Sequence, residues 1–533
     1  HLLVVSGSQV ALLSGTCLLI LRQVSSQQLT IYLSMSLIHL FFYVITGGGA
    51  SILRAIIMAQ IALLMEICKY RSSGTHIFVL CLLVMLLIQP STIMDIGAHL
   101  SVAAAFSLLF AAPRIFGRLP EKWPMILRRT VATSLAPFLL LSPLLIGYFH
   151  QFSWMALPAN LLVVGIGELL VMLGFFSSVL GLIIPTLGSF FAQGAHAGLL
   201  IIEGISNLCA AIPYSPIYLS VPHITLFFLF ILMLYLVSRP LSQLPRWGRW
   251  LGMGFSITLA IYMILPNRYL EISVLDVGQG DAVLISTPNK TDVLLDTGPA
   301  NGWAEVLASY PSSRLTPLLN KAGINKLDLL IISHMDLDHV GGLHALLKHI
   351  PVAAIGIHGL ESENLKKLLP ILKNTDTQII PLRAGQQFEL DTSITIDILA
   401  PIHARAVGID SENNRSVAFI LRHEELSFLF TGDIEKEEEW ALAEYYGSEI
   451  LHAPFLKLGH HGSNSSTLPF FLNRVAPSIA VASSAYKNKF KHPTQAVQER
   501  LRTTNVRLFR TDIQGTLRFR SDGKRIWKQT EYP

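Results

Sequence analysis

Between Ser333 and Gly342 the chain reads S-H-M-D-L-D-H-V-G-G, which puts His334, Asp336, Asp338 and His339 close together in one loop. Imidazole and carboxylate are the donors of zinc, manganese and iron sites. On an extended segment residues i and i+2 point the same way, so His334 and Asp336 are disposed to serve one ion, while Asp338 and His339 turn towards a second. Three more clusters carry related chemistry. Thr431-Gly432-Asp433 follows an apolar run and offers Asp433 as a bridging carboxylate. Lys457-Leu458-Gly459-His460-His461-Gly462-Ser463 offers the imidazoles of His461 and His460, with Lys457 as a cation that can stabilise charge on a bound phosphate. His492-Pro493 is preceded by Lys487, Lys489 and Lys491.

Each cluster has a plainer reading. A single His or Asp at a strand end is usually a cap or a solvated loop residue, and His492 alone is as readily structural as functional. Asp296-Thr297-Gly298 reads as turn chemistry rather than as a ligand. The plain reading fails for the first cluster, because like charges are not crowded so tightly without a cation. Taken with Asp433 and His460-His461, it predicts a dinuclear metal site.

The elements that position these groups are short strands. Leu270 to Leu275, Val283 to Ser286, Val293 to Leu295, Leu327 to Ile332, Ile394 to Leu399, Val417 to Leu421, Ser427 to Phe430 and Ile479 to Ala482 read as strands, several ending in a polar cluster. Leu318 to Ala322 suits a helix end, and Glu435 to Tyr446 a charged amphipathic helix. Strands with interleaved helices and polar strand ends predict an α/β fold, a layered αββα sandwich with its site along one edge.

All of this lies in the second half of the chain. Of 533 residues, 51% are hydrophobic and 14% charged, where soluble proteins carry about 25% charge. The shortfall comes from residues 1–266, a series of apolar runs, and the domain boundary is expected at Pro266-Asn267. A crossing helix needs about 20 mostly apolar residues. Candidate spans are Leu2 to Leu21, Leu29 to Thr46, Ala50 to Cys68, His76 to Ile88, Ala98 to Ala112, Val131 to Phe149, Trp154 to Gly174, Phe175 to Phe191, Val221 to Val237 and Leu251 to Leu265, about ten helices in all. Gly194 to Tyr214 reads as spanning, re-entrant or interfacial. Its Glu203 and Asn207, and Arg54, Gln60, Glu66 and Glu168 elsewhere, are the costly polar groups. For Arg54 and Glu66 snorkelling from a helix end is at least as good a reading as function, and Glu168 is the better pore candidate. The helix breakers Gly47-Gly48-Gly49, Pro137, Pro143, Pro158 and Pro185 favour a conduit over a simple anchor. Arg22, Lys69, Arg71, Arg114, Arg118, Lys122, Arg128, Arg129, Arg239, Arg246 and Arg249 fall in alternate loops. By the positive-inside rule those loops are cytoplasmic, which puts the second half outside. The four cysteines all lie in apolar runs and read as small buried hydrophobes. The net charge of +5 is modest and is no evidence for nucleic acid.

The order H-x-D-x-D-H after a strand, then T-G-D, then H-H-G-S resembles the metallo-β-lactamase superfamily. The fuller set D-V-G-Q-G-D-A, L-L-D-T-G, S-H-x-D-x-D-H-x-G-G, N-N-R-S, F-T-G-D and K-x-x-H-H-G-S resembles the C-terminal domain of ComEC-type DNA-uptake proteins, the competence channels of naturally transformable bacteria. In the apolar half, H-L-L-V-V-S-G at residues 1–7 is similar to that family's H-L-L-A-I-S-G signature, and the stretches 51–55 and 95–101 match two more. The resemblance covers essentially the whole chain. There are departures. Ser8-Gln9 stands where the family usually has Leu-His, and Asp336 stands for the second histidine of the superfamily. No histidine stands at the third ligand position. Asn413-Asn414 lies there, and His403 and His423 are unconvincing substitutes. The family's OB-type domain is expected upstream of His1.

What the resemblance implies is a multi-pass protein of the bacterial inner membrane that passes one DNA strand to the cytoplasm. Its C-terminal domain would stand on the periplasmic or extracellular side and hydrolyse the strand that is not imported. His334, Asp336, Asp338, His339, Asp433, His461 and His460 would hold one or two divalent ions, with Asp338 and Lys457 as the catalytic groups. The oxygen-rich donor set favours Mn²⁺ or Mg²⁺, with Zn²⁺ as the alternative. Partners would be duplex DNA outside, a single strand in the pore, the bilayer, a DNA receptor and a cytoplasmic motor, and homo-oligomerisation is left open. The competing reading is a transport protein whose lactamase-like domain is degenerate and only binds or guides DNA.

Overall fold

The structure is a computed structural model and describes residues 7–212, 215–221, 225, 229, 269–308, 314–358, 363–373, 375–402 and 411–529. The chain divides into two compact units, residues 1–256 and 257–533. The expected boundary at 266/267, the expected spans over 221–237 and 251–265, and Arg239, Arg246 and Arg249 fall outside the described residues, apart from positions 221, 225 and 229.

The first unit is helical. Helices α1 (Gly7–Val24), α2 (Gln28–Ile45), α3 (Ala50–Ile67) and α4 (Gly74–Ile88) follow one another through short turns. Among the described residues five helices are long and apolar enough to cross a membrane: α2, α3, Ile96–Phe116, Met125–Phe149 and Ala156–Gly181. Several polar groups of the helices are bonded to one another, as hydrocarbon favours. Buried His39 on α2 lies 2.7 Å from Ser14 Oγ on α1 and 2.6 Å from Gln60 Nε2 on α3. Arg54 on α3 is buried and donates to the Ser101 carbonyl at 2.7 Å, so it does not snorkel. Glu66 lies at a helix end and pairs with Arg22. The side chain of Glu168 is outside the described set.

Two expectations for this unit need correction. The stretches 154–174 and 175–191 are not separate spans, because one helix continues to Gly181 and the next, Pro185–Ala210, takes in most of 194–214. The two form a hairpin. Its turn sits at 182–184 because Pro185 starts a helix readily, having no N–H to lose at N1. At the tip the backbones meet: a Cβ on Gly188 would lie 2.4 Å from the Gly181 Cα. At the open end strand β1 (Gln151–Phe152) pairs antiparallel with β2 (Ile217–Tyr218). Nor do Pro137 and Pro143 break a helix. Both lie within the continuous Met125–Phe149 helix, so they lend a conduit no support.

The second unit is the expected αββα sandwich. One sheet has eight strands in the order β17-β16-β3-β4-β5-β6-β7-β8, and the other seven in the order β15-β14-β13-β12-β11-β10-β9. The strands are β3 (Leu270–Val274), β4 (Val283–Ser286), β5 (Asp292–Leu295), β6 (Leu327–Ile332), β7 (Val352–Ile357), β8 (Gln378–Pro381), β9 (Gln387–Asp391), β10 (Ile394–Ala400), β11 (Ala418–His423), β12 (Leu426–Phe430), β13 (Phe455–Lys457), β14 (Ile479–Ala482), β15 (Arg507–Arg510), β16 (Leu517–Ser521) and β17 (Ile526–Gln529). Alternation along each strand divides its side chains between layers. On β6, Leu329 and Ile331 enter the core between the sheets, and Leu327, Leu330 and Ile332 enter the core beneath the helices on the outer face. On β12, Phe428 and Phe430 face the other sheet while Leu429 faces its own helices. β5, β6 and β7 run parallel, as do β12, β13 and β14. Their C-terminal ends therefore release their loops along one edge of the sandwich.

Candidate metal centre

That edge collects the polar clusters. The loop after β6 turns into a short helix, Leu337–Val340, directly after Asp336. It lies against the loop after β5, where the backbone and hydroxyl of Thr297 donate to the His339 carbonyl at 2.7 and 2.9 Å, and Ala300 N donates to the Leu337 carbonyl at 3.1 Å. Only glycine permits that approach: a Cβ on Gly341 would lie 2.2 Å from Ala300 N, and one on Gly342 would lie 2.4 Å from Thr297 O.

Four side chains converge from three strand ends. Asp338 and His339 come from the β6 loop, Asp433 from the β12 loop and His461 from the β13 loop, and each offers a donor atom within 4.8 Å of the others. His339 Nε2 lies 3.3 Å from Asp433 Oδ2, and His461 Nε2 lies 3.3 Å from Asp338 Oδ2 and 3.4 Å from Asp433 Oδ2. His339 Nε2 and Asp433 Oδ1 are buried without a hydrogen-bond partner. Buried polar atoms are normally satisfied, so orphaned donor atoms aimed at one point fit a divalent cation.

The rings are held from behind. His339 Nδ1 lies 2.8 Å from Asp296 Oδ2. Asp296 is fixed in turn by the Ser333 N–H and hydroxyl, each at 2.7 Å. His461 Nδ1 lies 3.4 Å from Asp281 Oδ1. The Asp296 carboxylate sets the His339 tautomer that leaves Nε2 free to bind a metal, and Asp281 lies in ion-pair range behind His461. Burial disfavours a charged His461, but Asp433 and Asp281 outweigh it and push the imidazolium up to about 10. Burial likewise opposes charge on Asp433, yet His461 and His339 hold it well below the usual carboxylate range. A pocket this negative retains protons on its imidazoles until a cation displaces them.

The other expected residues are placed differently. His334 and Asp336 stand beside the four, with His334 Nε2 buried, unpartnered and 3.6 Å from Asp336 Oδ2, whose side chain is 43% exposed. Neither belongs to a group of three or more donors that meet within 4.8 Å among the described residues. Asn414 accepts from Glu435 N at 2.8 Å and donates to Glu437 at 3.1 Å, so it braces the Lys436–Tyr445 helix instead. His423 Nδ1 lies 3.1 Å from the Ser521 hydroxyl, away from the four, and His403 lies outside the described residues. His460 turns away from the four: its Nδ1 lies 3.2 Å from Glu435, and its ring meets His492 edge-on at 5.8 Å. Lys457 is no exposed cation. Its ammonium donates to Asp281 at 2.7 Å, both side chains being 1% exposed. The reason is the strand itself, since alternation along F-L-K turns Lys457 inwards.

Sequence reasoning missed Asp281 and underrated Asp296. Asp281 lies in the D-V-G-Q-G-D-A stretch, but its partners Lys457 and His461 are far along the chain. Asp296 does sit in a turn, with φ +59°, yet its side chain is fully buried, which is not expected of a turn residue.

Residues 1–243 match the family model described as Competence protein. Residues 275–485 match the model described as the metallo-beta-lactamase superfamily. ComE operon protein 3 of Bacillus subtilis is 29% identical over 98% of this chain and 67% of its own length. Competence protein ComA of Neisseria gonorrhoeae is 35% identical over 48% of this chain and 33% of its own. The zinc-bound PqqB from Methylobacterium extorquens aligns with 44% of this chain and 85% of that chain, at 10% identity and a TM-score of 0.27. The chain thus spans only part of each of these two curated relatives.

Proposed function

The chain belongs to the competence-protein family over residues 1–243 and to the metallo-β-lactamase superfamily over residues 275–485, and on that premise we propose that it takes up DNA across the cytoplasmic membrane in natural transformation. In this reading residues 1–266 form the single-strand channel. Residues 267–533 form a metal-dependent phosphodiesterase that degrades the strand left outside. The observation that carries the enzymatic part is the convergence of Asp338, His339, Asp433 and His461, backed by Asp296 and Asp281.

Those four residues would hold one divalent ion. When bound, the ion supplies Lewis acidity towards a phosphodiester oxygen and activates water. The residues do the rest. His339 is held in orientation by Asp296, His461 has the Asp281 carboxylate 3.4 Å behind it, and Asp433 lies fully inside. Asp338 is the one member of the four that is not fully buried, so it is the group placed to take a proton from the attacking water. Two oxygen and two nitrogen donors suit Mn²⁺ as well as Zn²⁺. The incomplete position at His334 and Asp336 makes a single tight ion, with at most a weak second, the expected stoichiometry.

Support for an outside location comes from the loops. Arg22, Lys69, Arg71, Arg114 and Arg118 follow alternate helices, and the β1–β2 pair returns the 156–210 hairpin to the side from which it left.

The test is the Asn267–Pro533 fragment on DNA with Mn²⁺, beside Asp338→Ala. Metal-dependent cleavage that the variant loses is the expected result. A stoichiometric ion without turnover would instead support the second reading, a domain that binds or guides DNA, which the missing third imidazole favours.

A further inference from the structure

Residues 485–493 form a loop beside the candidate centre that the metal reading leaves unused. Two large rings stand out in water there, Tyr486 at 72% and Phe490 at 51% exposure. Each carries an ammonium: Lys487 Nζ lies 5.3 Å from the Tyr486 ring centre, and Lys489 Nζ lies 4.8 Å from that of Phe490. Lys491 is exposed beside them.

The loop is braced rather than loose. Asn488 accepts from His492 N at 2.8 Å and donates to the carbonyls of His492 and Ala485 at 2.7 and 3.1 Å. Ala485 N donates to Gln279, in the stretch that carries Asp281. From the loop a row of rings leads inwards. Phe490 stacks on His492 at 5.6 Å, His492 meets His460 at 5.8 Å, and His460 meets His461 at 6.2 Å.

We infer that this loop is a stacking platform for unpaired bases, which feeds a single strand of nucleic acid along the row of rings to the centre. The inference rests on the phosphodiesterase reading and names the form of its substrate. Exposed rings offer stacking to any base whose face is free, and interleaved lysines hold the phosphates. In a duplex the base faces are covered, so the platform selects unpaired ends and single strands. Tyrosine and lysine also anchor proteins to lipid surfaces. A lipid anchor, however, gives no reason for a ring row that ends on a candidate metal ligand, whereas a strand substrate does.

The experiment is fluorescence anisotropy on the full chain in detergent, with EDTA present so that nothing turns over. The probes are a short oligodeoxynucleotide and its duplex. Tyr486→Ala with Phe490→Ala should weaken single-strand binding about tenfold or more while duplex affinity stays within about twofold. Tyr486→Phe with Phe490→Trp should keep wild-type affinity. Lys487→Gln with Lys489→Gln and Lys491→Gln should weaken both probes and flatten the salt dependence. Unchanged single-strand affinity in the double alanine variant overturns the inference. So does equal loss on the duplex, equal loss in the aromatic variant, or a loss confined to binding of anionic phospholipid vesicles. Mn²⁺-dependent cleavage by the wild-type chain is scored separately. Cleavage with unaltered single-strand affinity in the alanine variant sinks the platform alone, and the platform effect without cleavage sinks the phosphodiesterase alone.

Discussion

Lys457→Met tests whether the buried ammonium meets substrate or only holds Asp281. Lys457 Nζ and Asp281 Oδ2 are 2.7 Å apart, with both side chains 1% exposed. Removing one partner of such a pair leaves a buried charge uncompensated, at a cost of about 3–5 kcal/mol, out of about 5–15 kcal/mol for a typical domain. Methionine fills nearly the same volume, so little of the loss would come from a cavity. Lys457→Met with Asp281→Leu removes both charges, and such replacements are neutral or stabilising by about 1–4 kcal/mol. The double variant should therefore recover the stability that the single one loses. It should still bind metal about 10–100-fold more weakly, because His461 Nδ1 no longer has Asp281 behind it. The assays are urea unfolding and Mn²⁺ titration calorimetry on residues 267–533. The reasoning fails if Lys457→Met unfolds within about 1 kcal/mol of wild type yet binds DNA more weakly. That pair of results would put the ammonium on a phosphate.

Asp296→Asn should lower Mn²⁺ affinity about 10–100-fold by loosening the His339 ring, read by the same titration, with smaller loss of fold because Ser333 keeps an acceptor. His461→Ala should abolish tight Mn²⁺ binding, while His460→Ala should leave it unchanged because that ring faces Glu435 and His492. Burial, aided by Asp328, pushes Asp292 up to about 6 against an ordinary 3.8. A carboxyl raised on folding contributes its full stability below pH 3.8 and loses it as pH rises through 6. Asp292→Asn should therefore stabilise the unit at pH 8, by up to about 3 kcal/mol, and by about half as much at pH 5, as unfolding by urea at the two pH values will show.

Much of the sandwich was legible because its strands are short apolar runs bounded by breakers. Leu327 to Ile332 and Ile479 to Ala482 have the same ends in the sequence reading and in the structure. β13 escaped because three residues, one of them lysine, do not look like a buried strand. β16 escaped because Arg518 and Arg520 on its outer face dilute its apolar pattern. At the centre, H-x-D-x-D-H was legible because its spacing is local. What was not legible is direction. His460 and His461 are adjacent and both left-handed, with φ of 48° and 56°, so the pair alone does not tell which ring turns inwards. Burial at Lys457 was likewise hidden, because its partner Asp281 is supplied by the other sheet. In the first unit the break was placed at Gly174-Phe175, where the helix has no reason to stop, rather than ahead of Pro185, where it does.

The two-residue pairing of β1 with β2 has a bearing on how such a chain can change. Gln151 faces Tyr218 and Phe152 faces Ile217, so everything between them leaves and returns through one doorway. A hairpin closed this way is a self-contained cassette. Lengthening, shortening or excising it alters what lies within the membrane but leaves the polarity of every later segment as it was. Variation in this region is thus insulated from residues 275–485, the stretch that matches the metallo-beta-lactamase superfamily, as long as an even number of crossings is preserved.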